Sequence, residues 1–196
     1  TTTIYSLLNS TKKCHKRNII TLEDAVEQKN DRFLQLEINE RAGITYSVGL
    51  RSLLRHDPDL IMIGEIRDHE TAKMAVGASL TGHFVISTLH SSSAIGALHR
   101  LYDLGISYQD MKETVKGIIS QRLVNIICPY CGPNCKAYCL KERKNRRGAI
   151  LEILTEEEIK NAVENPEKLT YPRLKHQLCK AIALGFVDEK EYDYFD

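Results

Sequence analysis

Residues 60–68 read Leu60-Ile61-Met62-Ile63-Gly64-Glu65-Ile66-Arg67-Asp68. Four consecutive apolar residues between Asp59 and Gly64 form the short run expected of a strand buried on both faces, and such strands belong to parallel sheets covered by helices. The flanking chain has the periodicities this sheet requires. Upstream, Thr45 can cap a helix that carries Val48, Leu50, Leu53 and Leu54 on one side and stops at Pro58. Before it, Leu34, Leu36 and Ile38 alternate with polar residues as in a half-buried strand, and the apolar pair Ile19-Ile20 follows a polar turn at 15–18. Thr2 to Leu8 is helix-compatible. Downstream, 69–80 reads as a helix, His83-Phe84-Val85-Ile86-Ser87-Thr88 as a second buried strand, and 93–104 as a helix closed by Gly105. Strands alternating with helices predict parallel βαβ units, hence an α/β domain with helices on both sheet faces.

In such sheets ligands sit beyond the carboxyl ends of the strands. Three strand ends deliver polar residues there: Glu23 and Asp24 at the first, Glu65, Arg67 and Asp68 at the second, Thr88 and His90 at the third. Taken singly, each has an ordinary structural reading. Asp24 and Asp68 can cap helices, a histidine at a strand end is more often structural than catalytic, and Arg51 and Arg55 suit a solvated or interface face. Together, carboxylates, a histidine and an arginine converge on one rim. Glu65, after four apolar residues and a glycine, resembles the Walker B carboxylate that orients water against a γ-phosphate. Gly64 stands where an ordinary Walker B strand has its magnesium-linked aspartate. Magnesium would therefore need a threonine hydroxyl, water, and Glu23 or Asp24.

The chain has 196 residues, 42% hydrophobic and 27% charged, with 27 Lys+Arg against 26 Asp+Glu. That is room for one domain and an appendage, and the near-neutral balance argues against a global field for nucleic acid. No apolar run approaches the roughly 18–20 residues of a membrane span, and the opening residues have no signal-peptide pattern, which predicts a cytoplasmic protein. A nucleoside triphosphate site needs a glycine-rich loop that cradles the phosphates, then a Lys and a Thr or Ser at a helix start. These residues contain no such loop, but Thr1-Thr2-Thr3-Ile4-Tyr5-Ser6-Leu7-Leu8 matches the segment directly after the Gly-Lys of one. The expectation is a chain that begins one residue after the phosphate-binding lysine, with Thr1 or Thr2 as the magnesium hydroxyl. Such a chain would bind ATP weakly and turn over little or none.

The stretches Ile19–Glu27, Ala42–Leu101 and Ile119–Cys131 resemble the consecutive Asp box, Walker B and His box segments of the secretion (traffic) ATPases. That family drives type II secretion, type IV pilus assembly and competence pseudopili, and the resemblance runs over about residues 1–155. It implies an α/β, RecA-like P-loop ATPase core, truncated at the P-loop, with ATP and Mg2+ as cofactors. Position by position, it implies that Thr1 belongs to Walker A, Glu23 and Glu27 to the Asp box, Glu65 to Walker B as the catalytic glutamate, and His83 and His90 to the His box. Catalysis is thus expected of Glu65, His90 and Glu23, and nucleotide contacts of Thr1, Thr2, Glu23, Glu27 and His83. The resemblance further implies a homo-hexamer in the intact protein and an N-terminal domain that supplies arginines to the site. It also implies an inner-membrane platform protein as partner, a peripheral position at the inner face of the membrane, and no sequence-specific nucleic-acid contact.

Six cysteines are unevenly spread: Cys14 and Cys179 stand alone, while Cys128, Cys131, Cys135 and Cys139 fall within twelve residues. In an intracellular protein such a cluster points to a metal before disulfides. Four thiolates can close a tetrahedral structural Zn2+ site, with an iron–sulfur cluster or metal-free thiols as alternatives. The compact spacing and the stretch Asn145–Leu154 resemble the competence branch found in Gram-positive bacteria. The basic run 141–147 reads as a solvated surface, with DNA or anionic lipid as the alternative. Thr155 and Glu158 form a capping-box pattern, Leu174, Leu178 and Ile182 make one apolar helix face, and Gly185 can close that helix. The expected organisation is an ATPase core over 1–127, a four-cysteine metal-binding element over 128–147 and an α-helical C-terminal subdomain over 148–196. The favoured function is ATP hydrolysis that powers competence pseudopilus assembly and DNA uptake. A RecA-like motor acting on DNA and a non-catalytic zinc-bearing interaction module stand as alternatives.

Overall fold

The computed structural model describes residues 2–14, 17–132, 139, 147–164, 167 and 169–195. The chain divides into two compact units, Thr1–His90 with Leu98–Thr114, and Ser91–Ala97 with Val115–Asp196, rather than at residues 127 and 147.

In the first unit, β1 (Ile19–Glu23), β2 (Leu34–Glu37), β3 (Leu60–Ile63) and β4 (Phe84–Ser87) form one parallel sheet in the order β2-β1-β3-β4. Three helices cover it: α1 (Thr2–Cys14), α2 (Tyr46–Leu53) and α3 (His69–Leu80). Side chains alternate between the two faces of a strand, and this decides which helix each residue meets. Ile19, Leu60 and Met62 pack with Ile4, Tyr5 and Leu8 of α1. Ile20, Leu22, Ile61 and Ile63 pack with Leu50 and Leu53 of α2 and with Ala75 and Ala78 of α3. Each large aliphatic side chain buried this way is worth about 1.5–3 kcal/mol, so β1 and β3 anchor the unit.

β4 departs from the expectation of a fully buried strand. Phe84 is 54% exposed and Val85 to Ser87 are only half-buried, because β4 pairs with β3 alone among the described strands.

Helix starts follow the capping residues. The Val48 N–H donates to Thr45 Oγ1 at 3.3 Å, and the Thr71 N–H donates to Asp68 Oδ1 at 2.8 Å. α2 runs into a tight turn at 54–56 and stops at Asp57, whose φ is +46°, just before Pro58. The Asn18 side-chain amide secures that left-handed residue by donating to the His56 and Asp57 carbonyls at 2.8 and 3.2 Å. α4 (Ala94–Asp103) follows, then Gly105 at φ +81° and α5 (Tyr108–Thr114).

The second unit centres on a two-stranded antiparallel sheet, β5 (Gly117–Asn125) with β6 (Arg147–Thr155), in register from Gly117↔Thr155 to Asn125↔Arg147. β6 occupies a stretch expected within an α-helical tail. Ile150, Glu152 and Leu154 are buried while Ala149, Leu151 and Ile153 are exposed, which is the period of a strand with one packed face. Helices α6 (Glu156–Glu164), α7 (Leu174–Ala183) and α8 (Lys190–Asp193) follow. The capping box forms: the Thr155 N–H donates to Glu158 at 2.7 Å and the Glu158 N–H to Thr155 Oγ1 at 3.4 Å. Val124, Ile150, Leu174, Leu178 and Val187 make this unit's core. Among the described residues, no helix is long and apolar enough to cross a membrane.

Candidate functional site

Parallel pairing brings the ends of β1, β3 and β4 level, with Leu22 opposite Ile63 and Ile63 opposite Ser87. Hydrogen bonds continue past the strands. The Gly64 N–H donates to the Leu22 carbonyl at 2.7 Å, the Ile66 N–H to the Thr88 carbonyl at 3.0 Å, and the Thr88 hydroxyl to the Gly64 carbonyl at 2.5 Å. These bonds bring Glu65 and His90 together, with His90 Nε2 3.1 Å from Glu65 Oε2. Arg67 pairs with Glu65 Oε1 and also reaches Asp24 Oδ2 at 3.0 Å, so its guanidinium bridges the ends of β1 and β3. The Glu65 side chain is only 12% exposed. Arg67 nonetheless holds its carboxyl below the usual carboxylate range, outweighing the opposing effect of burial, and the same pairing raises the pKa of Arg67. An ionised carboxylate with one oxygen tied to a cation and the other beside a histidine can orient and deprotonate a water.

Gly64 stands in a tight space. A Cβ there would lie 3.0 Å from the Tyr46 hydroxyl and 3.2 Å from the Leu22 carbonyl oxygen. Tyr46 was not singled out from sequence, where its one signal is its place directly after the Thr45 cap. Its hydroxyl is raised well above an ordinary tyrosine pKa, first by burial and then by Asp24, with Glu65 adding to the effect, so it stays protonated. Among the described residues, Tyr46 Oη and Glu65 Oε2 are the buried side-chain atoms without a hydrogen-bond partner. His90 is within ion-pair reach of Oε2 but is not aligned to donate to it.

Glu23 does not join this group. It is 3% exposed, and its carboxylate accepts from the Tyr5 hydroxyl (2.8 and 2.7 Å to its two oxygens), Thr21 Oγ1 (2.6 Å) and Gln35 Nε2 (3.3 Å). The expectation that it sits beside Glu65 is corrected by strand alternation, which turns Thr21 and Glu23 to the α1 face of β1. Glu23 instead ties α1 to the sheet. Because Tyr5 in the first turns of α1 meets the carboxyl end of β1, α1 runs antiparallel to the strands. Thr2 therefore starts a helix that opens on the same rim. Thr1 lies outside the described residues. Glu27 is exposed beyond β1.

His83 does not reach the rim within this chain either. It precedes β4, so it sits at the opposite, amino edge of the sheet, with Nδ1 3.1 Å from both the Ala78 carbonyl oxygen and Thr81 Oγ1 at the end of α3. Asp68 acts as the α3 cap, whereas Asp24 pairs with Arg67.

In the second unit, the sulfurs of Cys128, Cys131 and Cys139 lie within 4.8 Å of one another, with Cys128 and Cys139 3.4 Å apart. Cys135 lies outside the described residues. The Gly132 N–H donates to the Cys128 carbonyl at 2.9 Å, and Gly132 has φ +66°, which turns residues 128–132 into a tight knuckle. Thiolates bound to one tetrahedral zinc stand about 3.8 Å apart, so the three sulfurs fit that ion.

The profile of a family described as "Type II/IV secretion system protein" matches residues 1–192. Competence protein ComGA of Bacillus subtilis is 44% identical over 198 residues, covering 98% of this chain and 56% of ComGA. Type II secretion system protein E of Pseudomonas aeruginosa is 49% identical over 131 residues, covering 67% of this chain and 26% of that protein. Among solved structures, the pilus retraction motor PilT with bound ADP superposes with a TM-score of 0.74 at 28% identity, over 99% of this chain and 57% of PilT. The ATPase DotB of Legionella pneumophila superposes with a TM-score of 0.68 at 24% identity, over 91% of this chain and 51% of DotB, and shares the fold. The chain spans about half the length of the ComGA proteins it matches. The parallel sheet with flanking helices is a RecA-like ATPase core, and with the profile running from the start of α1 through the last helix, the chain belongs to the type II/IV secretion system protein family.

Proposed function

We propose that this chain carries the catalytic part of a motor that hydrolyses ATP to drive competence pseudopilus assembly and, through it, DNA uptake. The observation that carries the reading is the arrangement of Glu65, one oxygen held by Arg67 and the other beside His90, at the carboxyl edge of the sheet. The 98% coverage by ComGA, against 67% by protein E, favours competence over general secretion.

Glu65 orients the attacking water, and His90, beside the same oxygen, polarises the γ-phosphate. Asp24 and Arg67 keep Glu65 in place. Glu23 anchors α1 through Tyr5 and so holds the threonines at its start where the phosphates and magnesium bind. Magnesium, when bound, neutralises charge on the phosphates. Cys128, Cys131 and Cys139, with Cys135, hold a structural zinc. In a homo-hexamer at the inner face of the membrane, hydrolysis changes the angle between this core and an N-terminal domain and passes that motion to an inner-membrane platform protein.

The test is magnesium-dependent ATP hydrolysis by a chain spanning the full length of its competence relatives, with Glu65→Gln alongside. The expected result is turnover by the parent and ATP binding without turnover by the variant. Hydrolysis by Glu65→Gln at the parent rate would falsify the assignment.

A further inference from the structure

We propose that the Tyr46 hydroxyl and Glu65 Oε2 together seat the attacking water, Tyr46 donating a hydrogen bond to it and Glu65 accepting one from it. The inference rests on the ATPase reading and adds to it a residue from α2. Tyr46 thereby places a polar group against the spot where an ordinary Walker B strand carries a side chain and this one carries Gly64.

Three observations converge. The Tyr46 hydroxyl occupies the space beside Gly64 so closely that a Cβ there would stand 3.0 Å away. Among the described residues, the two buried side-chain atoms without a hydrogen-bond partner are one donor and one acceptor, on neighbouring elements of this rim. Unsatisfied buried polar atoms are rare and point to a water, a ligand or a reacting group, and a single water satisfies a donor and an acceptor at once. Asp24 also faces the Tyr46 hydroxyl, closely enough to raise its pKa, but it makes no hydrogen bond of good geometry to that hydroxyl and pairs instead with Arg67 at 3.0 Å.

Tyr46 is also held firmly. Thr45 caps its helix, Leu50 and Leu53 are buried in the core, and Gly49 lies so close to Leu22 that a Cβ would meet it at 2.8 Å. Raised above its ordinary value, the phenol keeps its proton and can only donate or accept hydrogen bonds, not act as a base.

The step balances without any further reagent. The water oxygen bonds to the γ-phosphorus, the bond from that phosphorus to the β–γ bridging oxygen breaks, and one water proton passes to Glu65 Oε2. ADP and inorganic phosphate leave. Tyr46 keeps its proton throughout and acts by fixing where the water's lone pairs point.

The experiment is Tyr46→Phe in the full-length protein, compared with the parent and with Glu65→Gln. Three quantities are measured: steady-state hydrolysis, the affinity for ADP with aluminium fluoride relative to ADP alone, and Tm. Loss of one positioned donor predicts a fall in kcat of about 10- to 100-fold with KM within about threefold, and a roughly tenfold weaker preference for the fluoride complex. Tm should stay level or rise, because the variant removes an unsatisfied buried hydroxyl. A Tyr46→Phe protein with the parent's kcat and fluoride preference overturns the proposal, and so does one whose kcat falls only alongside a lower Tm. In either case an inactive, ATP-binding Glu65→Gln leaves the ATPase reading standing. If Glu65→Gln hydrolyses ATP like the parent, both fall together.

Discussion

Thr88 Oγ1 donates to the Gly64 carbonyl oxygen at 2.5 Å, and the Ile66 N–H donates back to the Thr88 carbonyl at 3.0 Å. This pair of bonds clamps the chain on both sides of Glu65 to the segment leading to His90. Thr88→Val keeps the β-branched shape and removes the hydroxyl, at a stability cost of about 1 kcal/mol. Its larger effect falls on turnover, since Glu65 and His90 lose their common register. Thr88→Ser should restore both. Chemical denaturation and ATPase assays on the two variants check this, and equal turnover in Val and Ser would show the clamp to be dispensable.

Glu152 is a second buried carboxylate with a different task. It is 2% exposed and accepts from the Ala94 N–H at 2.7 Å, the Leu174 N–H at 2.9 Å and the Tyr171 hydroxyl at 3.0 Å. Ala94 and Leu174 are the first residues of α4 and α7, so one side chain caps two helices. Glu152→Ala strands both N–H groups and should destabilise the protein by roughly 2–5 kcal/mol, with Glu152→Gln losing less. A denaturation midpoint unchanged in Glu152→Ala would contradict this.

Three tyrosines make stability fall at high pH. Tyr171 is pushed up to about 12 by burial and by Glu152, and Tyr5 and Tyr46 are pushed above the ordinary value of 10.0 by burial first and then by Glu23 and Asp24 respectively. Each folded pKa lies above the unfolded one, so the unfolded chain releases these protons first. Their contribution is complete below about pH 10 and is lost as pH rises through the folded values. Phenolate absorbance should show these three of the nine tyrosines titrating late, together with unfolding. Simple titration of all tyrosines near pH 10 with the fold intact would be the opposite result.

The cysteine knuckle predicts one zinc per chain. Protein purified without added chelator should carry close to one equivalent by elemental analysis, and Cys128→Ser should lose it. A strong chelator should lower Tm, because metal bound only by the folded chain contributes its binding energy to folding. Metal-free protein with an unchanged Tm after zinc addition would remove zinc from the account.

Much of this protein was legible in the sequence alone because it is written in local patterns. The run Leu60–Ile63, the caps at Thr45 and Asp68, the capping box at Thr155 and Glu158, and the strand ends carrying Glu65, Arg67 and His90 each depend on residues a few positions apart. The tertiary structure decided what those patterns face. Period two puts Thr21 and Glu23 on one side of β1, but only the packing of α1 shows that this side leads to Tyr5 rather than to Glu65. The alternation in 149–154 becomes a strand because β5, distant in sequence, pairs with it. Tyr46 meets Gly64 because α2 packs over β1 and β3 and brings its first residue to the end of β3, and no spacing between the two residues encodes that contact. Local sequence sets backbone conformation through propensity and capping, whereas the partner of a side chain is set by the direction of its Cβ and by the elements that packing brings to it.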